Sequence, residues 1–277
     1  MSAVRVDLHI HSTASDGRWY PEQLVEQVAQ TGIGLFAVAD HDTVDSVRPA
    51  ERLAMERGMA FIRAVEINAT IEGQNVHILG YGITPEDPAL QKMLAENRDR
   101  MHEVDLQSIQ KLIDAGYPVS HEACEAYEND PSRGGWKALN YLIDEGICSG
   151  VKDFFGRLFA GDMAISFPDF AAPDDAVRTI HAAGGIAICA HPGFAIRSGN
   201  VALLKKLVDC GVAGFECYSP YHVADEIDYF LGYCQTRGLL ITAGSDCHGG
   251  FVDRALGQPE AYLDDLELGP IAEMIVC

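Results

Sequence analysis

Val4-Arg5-Val6-Asp7-Leu8-His9-Ile10-His11 alternates with period two, which is the pattern of a strand. Val4, Val6, Leu8 and Ile10 are expected on one face, and His9 and His11 on the other. Two imidazoles therefore project together at the end of a first strand. A helix is predicted next, opened by Pro21 and running through Leu24, Val25 and Val28 to a stop at Gly32. Strand and helix keep alternating: a strand at Leu35 to Ala39, a helix at Val47 to Arg57, and a strand at Ala60 to Ile67. A hairpin around Glu72-Gly73-Gln74 leads into a strand from Val76 to Tyr81. After a change of character the alternation resumes, with helices at 174–183, 201–210 and 223–237 and strands at 186–190, 212–217 and 239–243. Such alternation implies mainly parallel strands with crossover helices, an α/β fold. From Asp87 to Leu112 the chain is charged and helix-favouring, and helix-like segments continue to about Phe159. The expected division is a barrel of residues 1–84 and 166–277 interrupted by a helical insertion, 85–165, over the mouth of the site.

The chain has 277 residues, 48% of them hydrophobic, enough for one sizeable core. Lys and Arg number 20 against 41 Asp and Glu, a formal charge of −21. A surface so acidic repels a phosphate polyanion at long range and argues against an extended nucleic-acid groove. No run approaches the roughly 18 consecutive apolar residues of a membrane span, and no apolar signal region precedes Asp7. A cytoplasmic location is therefore expected. The eight cysteines are irregularly spaced without a C-x-x-C pair and read as free thiols.

Histidines and carboxylates gather at predicted strand ends. His9 and His11 end the first strand, Asp40-His41-Asp42 follow the second, Glu66 ends the third, and His77 lies in the fourth. His191, His222, Asp246 and His248 repeat the pattern. Seven of the ten histidines belong to this set. In a parallel barrel the strand C-termini converge on one mouth, so residues distant in sequence would share a pocket. Any one of these histidines alone reads more simply as a satisfied core or surface group. Taken together they point to a cluster of divalent ions, for which imidazole and carboxylate are suited ligands. Without a cysteine partner, a closed structural zinc site is not expected.

The segments Asp7-Leu8-His9-Ile10-His11-Ser12, Asp16-Gly17, Ala39-Asp40-His41-Asp42, Glu66-Ile67-Asn68, His77-Ile78-Leu79-Gly80-Tyr81, Ala190-His191-Pro192 and Gly244-Ser245-Asp246-Cys247-His248 resemble, in order, the PHP (polymerase and histidinol phosphatase) family of phosphoesterases. The resemblance implies a distorted (β/α)7 TIM-like barrel with a helical insertion and up to three ions, Mn²⁺, Zn²⁺ or Fe²⁺. Carried across by position, it implies that His9, His11, Glu66 and Asp246 hold the first ion. Glu66 would bridge to a second held also by His77 and His191, and Asp16, His41 and His248 would hold a third. Some members have histidine where this chain has Asp16. The family's phosphate-contacting arginine corresponds to Arg133, although Gly134-Gly135-Trp136 replaces the usual following residues. His222 corresponds to a histidine at the phosphate or leaving group. Arg197, on a loop after Ala190-His191-Pro192-Gly193, is a weaker substrate-binding candidate.

The implied reaction is hydrolysis of small phosphate esters, nucleotide or sugar-type phosphomonoesters and cyclic phosphodiesters among them. Water held at the ions would attack phosphorus in line. Three divalent ions would bring roughly +6 and Glu66, Asp16 and Asp246 return about −3, which reconciles an acidic protein with an anionic substrate. The rivals are an exonuclease or phosphodiesterase acting on oligonucleotide ends, metal-assisted C–N hydrolysis, since His-x-His also opens amidohydrolase barrels, and a non-catalytic metal-binding domain. Asp40 and Asp42 read as supports of ligating imidazoles or as loop caps, and Glu216 as a support of the barrel.

Overall fold

In a computed structural model that describes residues 3–195 and 201–277, seven strands form one sheet in sequential order, β1 to β7. The strands are β1 (Val6–Ile10), β2 (Leu35–Val38), β3 (Ala60–Ile71), β4 (Gln74–Tyr81), β5 (Ile186–Cys189), β6 (Gly214–Tyr218) and β7 (Leu240–Ala243). All neighbours are parallel except β4, which runs antiparallel to both β3 and β5. The seam between β1 and β7 is closed by a parallel bridge between Ile10 and Cys247, where His11 N donates to Cys247 O at 2.9 Å. The architecture is thus a distorted TIM-like barrel.

The crossover helices α1 (Pro21–Thr31) and α2 (Val47–Glu56) follow β1 and β2. Between β4 and β5 lie α3 (Pro88–Asp114), α4 (His121–Ala126), α5 (Lys137–Asp144), α6 (Val151–Asp153) and α7 (Pro173–Ala182). The helices α8 (Pro192–Ala195), α9 (Val201–Asp209) and α10 (Ala224–Gln235) complete the set named here. The observed α3 starts where Asp87 caps it, accepting from Ala89 N and Leu90 N at 2.9 Å each, with Pro88 in its first turn.

Apolar residues separate into three groups. Val6, Leu8, Leu35, Ala37, Ile62 and Tyr81 pack with Leu268 and Ile271 inside the barrel. Ile10, Phe36, Val38, Phe61 and Val65 pack outward against Val25, Val47 and Ile180 of the helices. Ile109, Leu112, Leu139, Leu142 and Phe154 form a core of their own among the segments between β4 and β5.

Two local expectations need correction. The strict alternation of the first strand breaks: Asp7 pairs with Phe36 but Ile10 with Val38, so β1 carries one extra residue. Leu8 therefore packs inside while Ile10 packs outside, and the bulge turns His9 toward the mouth. Glu66 also does not end the third strand, because hairpin pairing with β4 carries β3 on to Ile71. A single chain's apolar pattern ends at the barrel rim, but the ladder of hydrogen bonds need not.

Candidate metal centre

The bulge in β1 is the foundation of the site. His9 and His11 are both fully buried, with their Nε2 atoms 3.1 Å apart. His9 Nδ1 lies 2.9 Å from Glu216 Oε1, a bond that directs Nε2 inward. The second Glu216 oxygen accepts from the His191 backbone N–H at 2.8 Å, so one carboxylate on β6 ties two histidines from different strands together. Gly244 makes this approach feasible: a Cβ there would stand 2.2 Å from His9 Cβ and 2.5 Å from Glu216 Oε1. At Gly17 a Cβ would meet the His11 carbonyl oxygen at 2.5 Å, so the loop bearing Asp16 folds tightly over β1 only with glycine there.

Glu66 is the hub. Its Oε2 lies 3.2 Å from His9 Nε2, 3.4 Å from His11 Nε2 and 2.9 Å from His41 Nδ1. Its Oε1 lies 2.9 Å from His77 Nδ1 and 3.0 Å from His191 Nε2. Because β4 is antiparallel, His77 falls diagonally across the ladder from Glu66, on the same face of the hairpin. Asp246 Oδ1 lies 2.9 Å from His11 Nε2, and Asp16 Oδ1 3.3 Å from His248 Nε2. His9, His11, Glu66 and Asp246 thus offer atoms within 4.8 Å of one another, as do His11, Asp16, His41 and His248, and also His41, Glu66 and His77. Depth varies across the centre: the His9, His11 and Glu66 side chains are 0% exposed, against 24% for Asp16, 27% for His41 and 17% for His77.

This donor set fits divalent cations. Glu66 Oε2 and Asp246 Oδ1 are buried without a hydrogen-bond partner among the described residues, while imidazole nitrogens crowd around them. Burial opposes charging His9, but the Glu66, Glu216 and Asp246 carboxylates outweigh it and raise its pKa well above the usual imidazole value. His41 is likewise raised, to about 10, by Glu66 and Asp16 against its burial. Burial also disfavours charge on Glu66 and Asp246, yet the surrounding imidazoles hold both carboxyls well below their usual range. An electrostatic field that holds protons on imidazoles favours a divalent cation in their place. The backbone is strained where it delivers these groups: His191 and Asp246 have left-handed φ of 25° and 49°, and Asp42, beside His41, has 48°.

No protein-family model matches the chain. It is 33% identical over 250 residues to a phosphoribosyl 1,2-cyclic phosphate 1,2-diphosphodiesterase of Eggerthella lenta, covering 88% of this chain and 94% of that one. To a 3',5'-nucleoside bisphosphate phosphatase of Chromobacterium violaceum it is 30% identical over 261 residues, 92% of this chain and 91% of the other. A 5'-3' exoribonuclease of Haemophilus influenzae is 35% identical over 249 residues, 88% and 90% of the two chains. A solved structure from Bifidobacterium adolescentis, assigned as a metal-dependent phosphoesterase, superposes with a TM-score of 0.80 at 25% identity over 94% of this chain and 93% of that one. The chain belongs to the PHP family of metal-dependent phosphoesterases. It is a phosphoric ester hydrolase, and the metal dependence of the family agrees with the donor set above.

Other expected residues of this PHP enzyme fare differently. Arg133 stands near the Asp16 loop, since Gly135 N donates to Asp16 O at 2.8 Å, but its guanidinium is committed elsewhere. It forks onto Asp144 at 2.7 and 2.8 Å and also donates to Tyr127 Oη at 2.7 Å. His222 is buried with both ring nitrogens satisfied by backbone: Nδ1 donates to Cys217 O at 2.8 Å and Nε2 accepts from Gly193 N at 2.9 Å. Its pKa is lowered by burial, in keeping with a neutral ring. Arg197 lies outside the described residues. Asp40 caps loops, accepting from Ser12 N and Oγ and from Ser15 Oγ at 2.7 Å each, and from Ser46 Oγ. Asp42 receives Asn68 and Asn97 amides at 2.6 and 2.7 Å. Trp136 packs edge-on to Phe154 and Phe251, within the core of the segment between β4 and β5.

Two neighbours of the centre escaped sequence reasoning. Tyr221 Oη donates to Asp246 Oδ2 at 3.0 Å, and Arg254 contacts the same oxygen while stacking 4.4 Å from the Tyr221 ring centre. Tyr221 adjoins His222 and Arg254 follows His248 by six residues, but neither belongs to a spacing that signals such a contact. Cys247, between Asp246 and His248, stays a thiol, its pKa pushed up to about 11 by burial.

Proposed function

We propose that this PHP enzyme hydrolyses small phosphate esters, nucleotide or sugar-type phosphomonoesters together with cyclic phosphodiesters, at two or three divalent ions. The observation that carries the reading is the pair of buried carboxylate oxygens, Glu66 Oε2 and Asp246 Oδ1, which have no hydrogen-bond partner of good geometry among the described residues yet lie 2.9 to 3.5 Å from the Nε2 atoms of His9 and His11. His9, His11, Glu66 and Asp246 are assigned to the first ion. His77 and His191 share Glu66 with a second, and Asp16, His41 and His248 take a third. The mixed imidazole and carboxylate donors suit Mn²⁺, Zn²⁺ or Fe²⁺. Bound there, such ions would supply the positive charge that activates water near neutral pH and neutralises phosphoryl oxygens.

The chain's own residues organise the rest. Glu216 orients His9, and Tyr221 and Arg254 hold Asp246 Oδ2 so that Oδ1 faces inward. The segment 85–165 is assigned as an insertion over the mouth. Arg133 would contact phosphate by exchanging the Asp144 carboxylate for phosphoryl oxygens, a replacement of one anion by another. His222 would reach a leaving group only after releasing the Gly193 N–H. Arg197 is a further candidate for contact with the substrate.

The test is phosphate release by the Mn²⁺-loaded protein from nucleotide bisphosphates, nucleotide monophosphates, cyclic nucleotides and histidinol phosphate, with His9→Ala as control. Release that the control abolishes supports the reading. Intact esters in the presence of verified metal would sink it. The exoribonuclease similarity supports a second reading, trimming of oligonucleotide ends, and a 5'-phosphorylated oligonucleotide in the same panel separates the two.

A further inference from the structure

His41 is held differently from its neighbours in the centre. His9 Nδ1 lies 2.9 Å from Glu216 Oε1 and His248 Nδ1 donates to Asp246 O at 2.7 Å, outer contacts that fix each ring. His41 places Nδ1 2.9 Å from Glu66 Oε2, inside the centre, and has no outer acceptor among the described residues. Its direction is therefore set by its backbone. On the strand side that backbone is fixed by Glu66, whose N donates to Asp40 O at 3.1 Å and whose O accepts from Asp42 N at 2.8 Å. Directly after His41 the chain leaves the sheet through Asp42, at a left-handed φ of 48°. A non-glycine residue keeps that conformation only where its surroundings over-determine it.

The surroundings of Asp42 come from two elements. Asn68 of β3 donates from Nδ2 to Asp42 Oδ2 at 2.6 Å and from its backbone N to Oδ1 at 3.2 Å. Two consecutive residues of α3 supply the rest: Asn97 Nδ2 donates to Oδ1 at 2.7 Å, and Arg98 Nη1 to the Asp42 carbonyl oxygen at 2.5 Å. Leu90, Leu94 and Asn97 are buried along one face of α3, spaced by four and three residues. Asn97 thus stands at a register that suits an apolar side chain, and its own Oδ1 is buried without a hydrogen-bond partner among the described residues. A leucine would continue the stripe without that cost, so the amide is explained by what it reaches rather than by packing.

We propose that Asn97 and Arg98 are positioning residues for the ion that His41 ligates, acting through the turn at Asp42, a role that rests on the reading of these side chains as metal ligands. The segment between β4 and β5 then governs occupancy of one position in the centre, while His9 and His248, fixed by contacts to Glu216 and Asp246, do not depend on it.

The test is calorimetric titration of Mn²⁺ into the metal-free full chain of the wild type, His41→Ala, Arg98→Met and Asn97→Ala, at a temperature where circular dichroism shows each protein folded. The binding step that His41→Ala weakens identifies the ion. Arg98→Met removes a donor from an exposed residue and keeps most of its aliphatic stem, so it tests the role even where Asn97→Ala fails to fold. Arg98→Met should raise Kd for that step by about tenfold and Asn97→Ala by about ten- to hundredfold, with the other steps changed by less than about twofold. In a His41→Ala background, Arg98→Met should add no further loss, because its route to the ion is gone. An unchanged Kd for that step, equal weakening of every step, or full additivity with His41→Ala would overturn the proposal. Failure of the metal-ligand reading registers separately, as a wild type that takes up no Mn²⁺.

Discussion

At the scale of single residues, Glu216 shows how much of a metal centre lies behind its ligands. Gln in its place cannot accept from both His9 Nδ1 and His191 N, since its amide nitrogen would face one of those N–H groups. Glu216→Gln should lower metal affinity by about 10- to 100-fold, read by metal titration of the apoprotein. Metal binding at the wild-type level would remove Glu216 from the positioning role. His9→Ala and Asp246→Asn should each lose metal and turnover together, which elemental analysis beside an activity assay checks. Arg133→Ala should retain wild-type metal content and raise KM for phosphate esters. An unchanged KM would assign Arg133 to Asp144 alone, a solvent-exposed pair that adds little to stability.

Among elements, α3 does two jobs along its length. Leu90 and Leu94 pack into the barrel's outer core, whereas Ile109 and Leu112 pack into the separate core between β4 and β5. Midway, Asn97 Nδ2 donates to Asp42 Oδ1 at 2.7 Å and to Asn68 O at 2.9 Å, which fastens the helix to the loop carrying His41. Asn97→Ala leaves those acceptors short of a buried donor and should cost about 1–3 kcal/mol in denaturant unfolding. Asp105, partly buried on the same helix, has its pKa raised to about 7 by burial. A carboxyl that the native state keeps protonated binds more protons folded than unfolded, so its contribution falls as pH rises from about 4 to 7. Asp105→Asn should therefore stabilise the protein at pH above 7, by about 1 kcal/mol after allowance for partial exposure, and much less near pH 4. Melting curves of the two proteins across that pH range give the comparison, and a pH-independent difference would contradict the assignment.

For the whole molecule, a charge of −21 is concentrated further by a buried centre with Glu66, Glu216 and Asp246 around His9. Metal that binds only the folded state stabilises it by mass action, by about 4 kcal/mol at a thousand times Kd. Chelation should accordingly lower Tm, and added salt should recover part of the loss by screening self-repulsion. A Tm insensitive to chelator would argue against ions at this centre. No helix among the described residues is long and apolar enough to cross a membrane.

The periodicities in the sequence determined the alternation of strands and helices, the hairpin at Glu72 to Gln74 and the α/β class, because each is a local consequence of where apolar residues recur. Histidines and carboxylates at strand ends likewise marked the mouth, since strand direction converts distant positions into neighbours. Only the tertiary structure decided that β1 bulges at His9, that Glu66 lies within a longer strand, and that Glu216, Tyr221 and Arg254 support the centre. It also directed Arg133 to Asp144 and both nitrogens of His222 to backbone. Such pairings depend on register between segments far apart in the chain, and a hydrogen bond over that separation leaves no period in the sequence that bears it.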